Sequence, residues 1–253
     1  MADEYPRILY EDALASASSV VASGEATDHP VAYAYDWKPY THWSPASGTS
    51  HTITATWGAV RSFGAWGLYG HNVGTLGGTI QAAYYGEDSA WHNFSTLVDP
   101  ADDLAIYQYL TTAVTGTRFR WTFTAAATLE VCCLAVGTEL ILPMGVRVGF
   151  ACPRLARRKT LLPVQSRDGV FLGSSIEQES SQVAVSVEPL TEAWTRATWW
   201  PFKDACASRP FFLYWDTIDE GYPAYVSQAE FDDCPYVAHG YHRAGFTGRA
   251  DLE

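Results

Sequence analysis

The chain has 253 residues, 47% of them hydrophobic, and carries 16 Lys and Arg against 28 Asp and Glu, for a formal net charge of −12. That length and apolar content support one large or two modest domains with a real core. The acidic excess holds in both halves (6 basic and 14 acidic residues over 1–150, 10 and 14 over 151–253), which excludes phosphate-backbone binding and hence nucleic acid as a partner. No run of eighteen apolar residues exists, so no membrane insertion is expected. The opening MADEYPRILYEDAL is acidic and lacks the basic and apolar regions of a signal peptide. Five cysteines, an odd number without metal-type spacing, read as reduced, buried, small apolar groups. Ten tryptophans and fifteen tyrosines point to broad aromatic packing, at subunit interfaces or on a sugar-binding surface.

In chain order, Pro6–Tyr10 and Ser18–Ala22 read as short strands, with a helical turn over Asp12–Ser19. An aromatic loop, Ala32–Pro45, follows. Thr52–Tyr85 is the stretch around which the chain is organised. Ile53, Ala55 and Trp57 alternate with Thr52, Thr54 and Thr56, the period of a strand with one buried face. Phe63–Tyr69 is apolar or glycine nearly throughout, which predicts a strand covered on both faces. Gly70–Gly78 is turn-rich, and Thr79–Tyr85 predicts a third strand. Three strands in about thirty residues, with no helical pattern between them, indicate the heart of an antiparallel β-sandwich.

Beyond it, the only basic cluster is Arg154, Arg157, Arg158 and Lys159, read as a solvated linker or subunit contact. Arg167–Gly173 reads as a strand and turn, and Gln182–Val187 as an exposed strand. Leu190–Ala207 predicts a helix capped by Thr191, with Glu192 in its first turn. Ala193, Trp194, Ala197 and Thr198 are placed on one face, and Pro201 must kink or split the element. Arg209–Asp216 predicts a strand aromatic on both faces, and Pro223–Gln228 and Val237–Thr247 predict closing strands.

The succession of an Asp-containing turn, Thr41-x-Trp43, a strand ending in Trp57-Gly58, a buried strand, Trp91 and Arg118–Phe123 resembles discoidin-like (F5/8 type, galactose-binding-like) jelly rolls over roughly residues 5–142. A narrower resemblance rests on Arg7–Asp12, Tyr40-Thr41-x-Trp43 and Gly70-His71-Asn72, with the Trp-x-Pro-Phe…Pro-Phe-Phe-x-x-Trp…Tyr-Pro pattern from Trp199 or Trp200 to Pro223. These look like tail-tip proteins of long-tailed bacteriophages, of the distal tail or baseplate type, although the usual distal tail layout puts the ring domain first. The resemblance implies a jelly roll over 1–142 and a smaller β-rich domain over 143–253 with one helix near 190–207. It implies a structural role in the virion tail tip, assembled in the host cytoplasm as a ring of six or three copies. The partners would be the tail tube, hub or fibre proteins, and possibly a host glycan. A carbohydrate-binding module is the alternative, and a virion glycan-cleaving enzyme a further one.

No nucleophile elbow, zinc-protease helix or phosphate loop is present, so no enzyme, cofactor or metal is expected. His239 and His242 face opposite sides of a predicted strand. Asp99, Asp102 and Asp103, and separately Asp216, Asp219 and Glu220, are carboxylate clusters of the kind a glycosidase pair needs, but they lie in polar turns, as does Asp232-Asp233. The jelly-roll resemblance makes Tyr40, His42, Trp91 and His92 the candidate ligand contacts. Trp43 reads as an internal plug of its loop, while His71 and Asn72 hold a turn through side-chain to backbone bonds. Trp199, Trp200, Phe202, Phe211, Phe212 and Trp215 are candidates for an assembly interface, or else form the second domain's own core.

Overall fold

A computed structural model of the chain describes residues 5–126, 128–145, 150, 157–168, 170–215, 223–238 and 240–251. In chain order the strands are β1 (Arg7–Leu9), β2 (Ser19–Ala22), β3 (Ser50–His71), β4 (Thr79–Tyr85), β5 (Trp91–Asn93), β6 (Ile106–Thr124), β7 (Val131–Gly137), β8 (Leu140–Ile141), β9 (Arg157–Gln165), β10 (Phe171–Thr191), β11 (Phe211–Tyr214), β12 (Ala224–Phe231), β13 (Tyr236–Ala238) and β14 (Tyr241–Asp251). The protein is mainly β, with every pairing antiparallel among the described residues: a jelly-roll sandwich followed by a β-rich part with one helix.

The first sheet runs β2-β3-β6-β4-β5, with β7 added to β3. The two runs expected as separate strands at Thr52–Trp57 and Phe63–Tyr69 are one strand, β3. Its pairing with β6 shifts register between Thr56 and Arg61 and again between Phe63 and Ala65. Such bulges bend a strand and increase its twist. Ile53, Ala55 and Trp57 from the first half of β3 therefore share one core with Phe63, Trp66 and Leu68 from the second. The helical turn after β1 is a 3-10 turn, Ala13–Ser16, capped by Asp12.

The second sheet runs β8-β1-β11-β12-β14-β10-β9, with β13 on β14. Strands β1 and β8, from the segment before residue 143, belong to this sheet, with Ile8 opposite Leu213 and Leu140. Both ends of the chain thus build one sheet, and the sandwich emerges between them. The helix starts where expected: the Trp194 amide donates to the Thr191 hydroxyl. It continues as a π-turn, Thr195–Trp199, then as α-helix over Trp200–Cys206. Pro201 has no N–H to give to the preceding turn, and the Trp200 amide reaches back to Thr195 in the wider π spacing. The expected face is corrected. Ala193 and Ala197 are exposed, and Thr195, Trp199, Phe202 and Cys206 are buried, because two large aromatics bury far more apolar area than two alanines.

Three apolar layers follow. The sandwich core is one, and the helix with the far face of the second sheet forms another around Trp199, Phe202, Phe211 and Phe246. Between them lies a layer of Leu9, Ala65, Tyr69, Tyr107, Cys133, Ala135, Phe212 and Tyr225. Of the six aromatics offered as an assembly interface, Trp199, Phe202, Phe211, Phe212 and Trp215 are core, and Trp200 alone faces solvent. Phe211 and Phe212, consecutive in β11, point into different layers, as the alternation of a strand requires. Cys132, Cys133 and Cys206 are free and buried, and burial raises their thiols to about 11, 12 and 12.

A charged contact also crosses between the sheets. Arg7 on β1 is buried, pairs with Glu139 and lies 4.0 Å over the ring of Tyr109 on β6. Tyr107 donates to the same Glu139 carboxylate at 3.0 Å. The sheets approach closely at Gly67, where an added Cβ would meet the Phe212 ring at 2.8 Å. Gly67→Ala is expected to lower stability by about 1–3 kcal/mol through overpacking, read by urea unfolding. Gly58→Ala, with nothing within 4 Å, should stay within about 0.5 kcal/mol of the parent. Equal stability of the two variants would refute the close approach.

Candidate functional site

Strands β4 and β5 form a hairpin at the edge of the sandwich, closed by a turn in which the Gly86 amide bonds Ala90 O at 2.9 Å and the Ala90 amide bonds the Asp88 carboxylate at 3.2 Å. The register sets Tyr84 opposite His92 and Tyr85 opposite Trp91. Because side chains alternate, the first pair lies on one face and the second on the other. On the first face is a groove of about 370 Å³ lined by Tyr84, Glu87, Asp88, His92, Val114 and Thr115. The Tyr84 and His92 rings are 5.3 Å apart at 30°. His92 Nε2 lies 2.8 Å from Asp88 Oδ2, and that hydrogen bond holds the Asp88 carboxyl below the usual carboxylate range.

On the opposite face, Trp91 meets Tyr85 edge-on at 5.4 Å. Arg120 lies 4.2 Å over Trp91 and Arg118 5.1 Å over Tyr85. The hairpin edge thus offers ring faces for stacking and carboxylate and imidazole groups for hydroxyls, the lining that orients a polar ring.

The other predicted contacts lie elsewhere. Tyr40 is exposed. His42 stacks on His29 at 4.2 Å, with its Nε2 3.9 Å from Glu130. Trp43 is fully buried, donates its indole N–H to Gly24 O at 3.1 Å and bridges Val131 through its backbone. Trp43 packs beside Phe123, while Trp91 lies on Tyr85, the partner of Arg118. Five residues of β6 separate Phe123 from Arg118, about 17 Å, so Tyr40–Trp43 and Trp91–His92 form two groups at opposite ends of the sheet.

His71 bonds within its turn, and Asn72 reaches out of the turn to the loop before β7. The Val73 amide donates to His71 Nδ1 at 3.3 Å, and Nε2 donates to Leu104 O at 2.9 Å. Burial lowers the His71 pKa and keeps the ring neutral. Asn72 donates to Thr128 O and accepts from the Glu130 amide, each at 2.8 Å. Asp103 accepts from the Thr75 amide at 2.9 Å and Asp102 from the Leu104 amide at 3.3 Å, which makes them loop-shaping acids. Asp216, Asp219, Glu220, His239 and Arg154 lie outside the described residues. Among the described residues no group of three or more His, Cys, Asp or Glu could hold a metal ion.

No protein-family model matches this chain, and no curated protein matches it. It is similar in structure to a Clostridium perfringens module solved in complex with GalNAc-β-1,3-galactose, with 12% identity, a TM-score of 0.40, and 47% of this chain and 94% of that one covered. It is also similar to a pectin-binding carbohydrate-binding module (17%, 0.40, 48% and 91%). A third is chitosan-binding module 1 of a Paenibacillus sp. IK-5 chitosanase/glucanase (14%, 0.41, 50% and 98%). The likeness spans about half of this chain, and at these values it assigns neither ligand nor activity.

A second cavity escaped sequence reasoning, because its walls come from distant stretches. It is a cleft of about 620 Å³ lined by Tyr10–Ala13, Val60–Ser62 at the β3 bulge, Gly137-Thr138, and Pro201, Ala205 and Arg209 of the helix and the loop after it. Asp12 in its wall caps the 3-10 turn through Oδ1, at 3.0 Å from the Leu14 amide, while Oδ2 is buried without a close hydrogen bond. Burial pushes the Asp12 carboxyl up to about 7, against the pull of the Leu14 and Val136 amides and of Arg209. A carboxyl raised in the folded state binds more protons there than when unfolded, so its contribution to stability is full below about pH 4 and is lost as the pH rises through 7. Asp12→Asn, which keeps a capping oxygen, is expected to remove that part of the decline in Tm between pH 4 and 7.5. The same decline in both proteins would contradict it.

Proposed function

We propose that the protein is a non-enzymatic binding protein whose sandwich holds a carbohydrate in the groove beside β5, with the second sheet as its platform. The observation that carries this reading is the groove itself, where the Tyr84 and His92 rings stand beside the Asp88 and Glu87 carboxylates in a space of about 370 Å³. A pyranose presents an apolar face to stack on a ring and hydroxyls that donate to carboxylates, and the volume suits one such ring. Catalysis by a carboxylate pair calls for an acid kept protonated at neutral pH. Asp88 is held below the usual carboxylate range by His92, so it is not that acid. Tyr84→Ala and Asp88→Ala are each expected to weaken the best glycan found on an array about tenfold or more, roughly 1.4 kcal/mol, by isothermal titration. An array without binders, or variants that bind as well as the parent, would sink the reading.

A second reading, compatible with the first, sets the protein in the tail tip of a long-tailed phage virion, assembled in the host cytoplasm as a ring of three or six copies against the tail tube. The β9–β10 hairpin favours it. Register with β14 begins at Ser181, so Phe171–Ser180 run alongside β9 as an arm beyond the sheet. Leu162, Val164, Val170, Phe171 and Leu172 are exposed near its tip, and exposed apolar side chains gathered on one element are candidates for an interaction site. Light scattering of the purified protein should give three or six copies, and the Phe171→Ser, Leu172→Ser double variant should give monomers. A parent that is monomeric at every concentration, with or without tail tubes, removes the ring.

A further inference from the structure

The cleft beside Asp12 has no part in the groove reading, and its lining has chemistry of its own. Two guanidinium-bearing residues, Arg61 and Arg209, line it, one on the β3 bulge and the other just after the helix. Arg209 acts on the Asp12 carboxyl in the cleft wall, pulling it down against the push of burial, and neither guanidinium comes within 4.0 Å of a carboxylate among the described residues. Of the two acids in the wall, the Glu11 carboxylate is engaged by the Thr138 hydroxyl, and the Asp12 carboxyl is held by the Leu14 and Val136 amides and the Trp37 side chain. The rest is small or apolar: Ala13, Val60, Gly137, Pro201 and Ala205, with Tyr10 closed against Phe202 at 5.2 Å. In the lining, the Glu11 carbonyl crosses Gly137 so closely that an added Cβ there would lie 2.0 Å away.

We propose that this junction cleft is a binding site for a small anionic ligand, one whose carboxylate or phosphate is received by Arg61 and Arg209. Guanidinium groups present paired N–H donors that match either anion, and about 620 Å³ is the volume of a small-molecule site. The protein as a whole carries −12, so its general field repels anions and a saturable anion site has to be made locally. The ligand would rest on the sandwich through β3 and on the second sheet's helix segment through Arg209, and so would tie the two parts together.

The test is isothermal titration of the full chain with glucuronate, inorganic phosphate and neutral glucose. At least one anion should bind saturably, any binding of glucose should be unaffected by the cleft variants, and Arg61→Gln with Arg209→Gln should weaken the anion binding at least tenfold. Both arginines are exposed, so the variant should keep the parent's circular dichroism, and Asp88→Ala should bind the anion as the parent does. Binding of glucuronate without phosphate identifies an acidic sugar or other carboxylate as the ligand class, and binding of phosphate alone identifies a phosphorylated one. No saturable binding of either anion, or binding undiminished in the double variant, overturns the site and leaves the groove reading untouched.

Discussion

The close stacking of the two sheets governs everything else in this protein. At Gly67 the backbone of β3 lies against the Phe212 ring, and Tyr69 stacks on Tyr225 at 4.6 Å, nearly parallel. The Tyr225 hydroxyl donates to Trp37 O at 2.8 Å and so secures the aromatic loop to the same layer. Packing at this density transmits position between layers. Buried charge is admitted only where it is answered, by Arg7, Glu139 and Tyr107 together. Through this layer the sandwich, although formed by a continuous middle stretch of chain, is seated on a sheet built from both ends.

That seating decides where recognition can occur. The face of the sandwich formed by β7 and the second half of β3 is covered by β1, β11 and β12. The free parts are the β4–β5 edge, the loop end around Tyr40 and His42, and the outer face carrying Arg118 and Arg120. The edge combines a groove, two rings and two carboxylates, whereas the loop end offers one exposed Tyr and a His–His stack. The helix, meanwhile, brings Pro201, Ala205 and Arg209 to the β3 bulge and makes a cleft that neither part has alone.

The elements legible in the sequence were those whose signal is local. Alternation marked Thr52–Trp57, continuous apolarity marked Phe63–Tyr69, and Thr191 marked the start of the helix. His71 binds the amide of Val73 two positions on, a local contact, whereas Asn72 bonds the backbone of Thr128 and Glu130, more than fifty positions away, and Trp43 that of Gly24. The helix face was misread because small alanines were weighed equally with Trp199 and Phe202. Tyr40 and His42 were grouped with Trp91 and His92 because sequence gives residue types but no distance along a sheet.

By itself, then, the sequence determined the β class, the strand periods, the helix start and the aromatic residues from which a site is made, since each of these depends on neighbours a few positions away. Tertiary structure decided that β1 and β8 join β11, that Phe211 and Phe212 serve different cores, and that Asp12, Arg61, Gly137 and Arg209 share one cleft. Those outcomes depend on contacts between residues more than a hundred positions apart, such as Arg7 with Glu139 and Tyr225 with Trp37. Their free energy comes from burying one whole face against another, and no single stretch of chain carries that information.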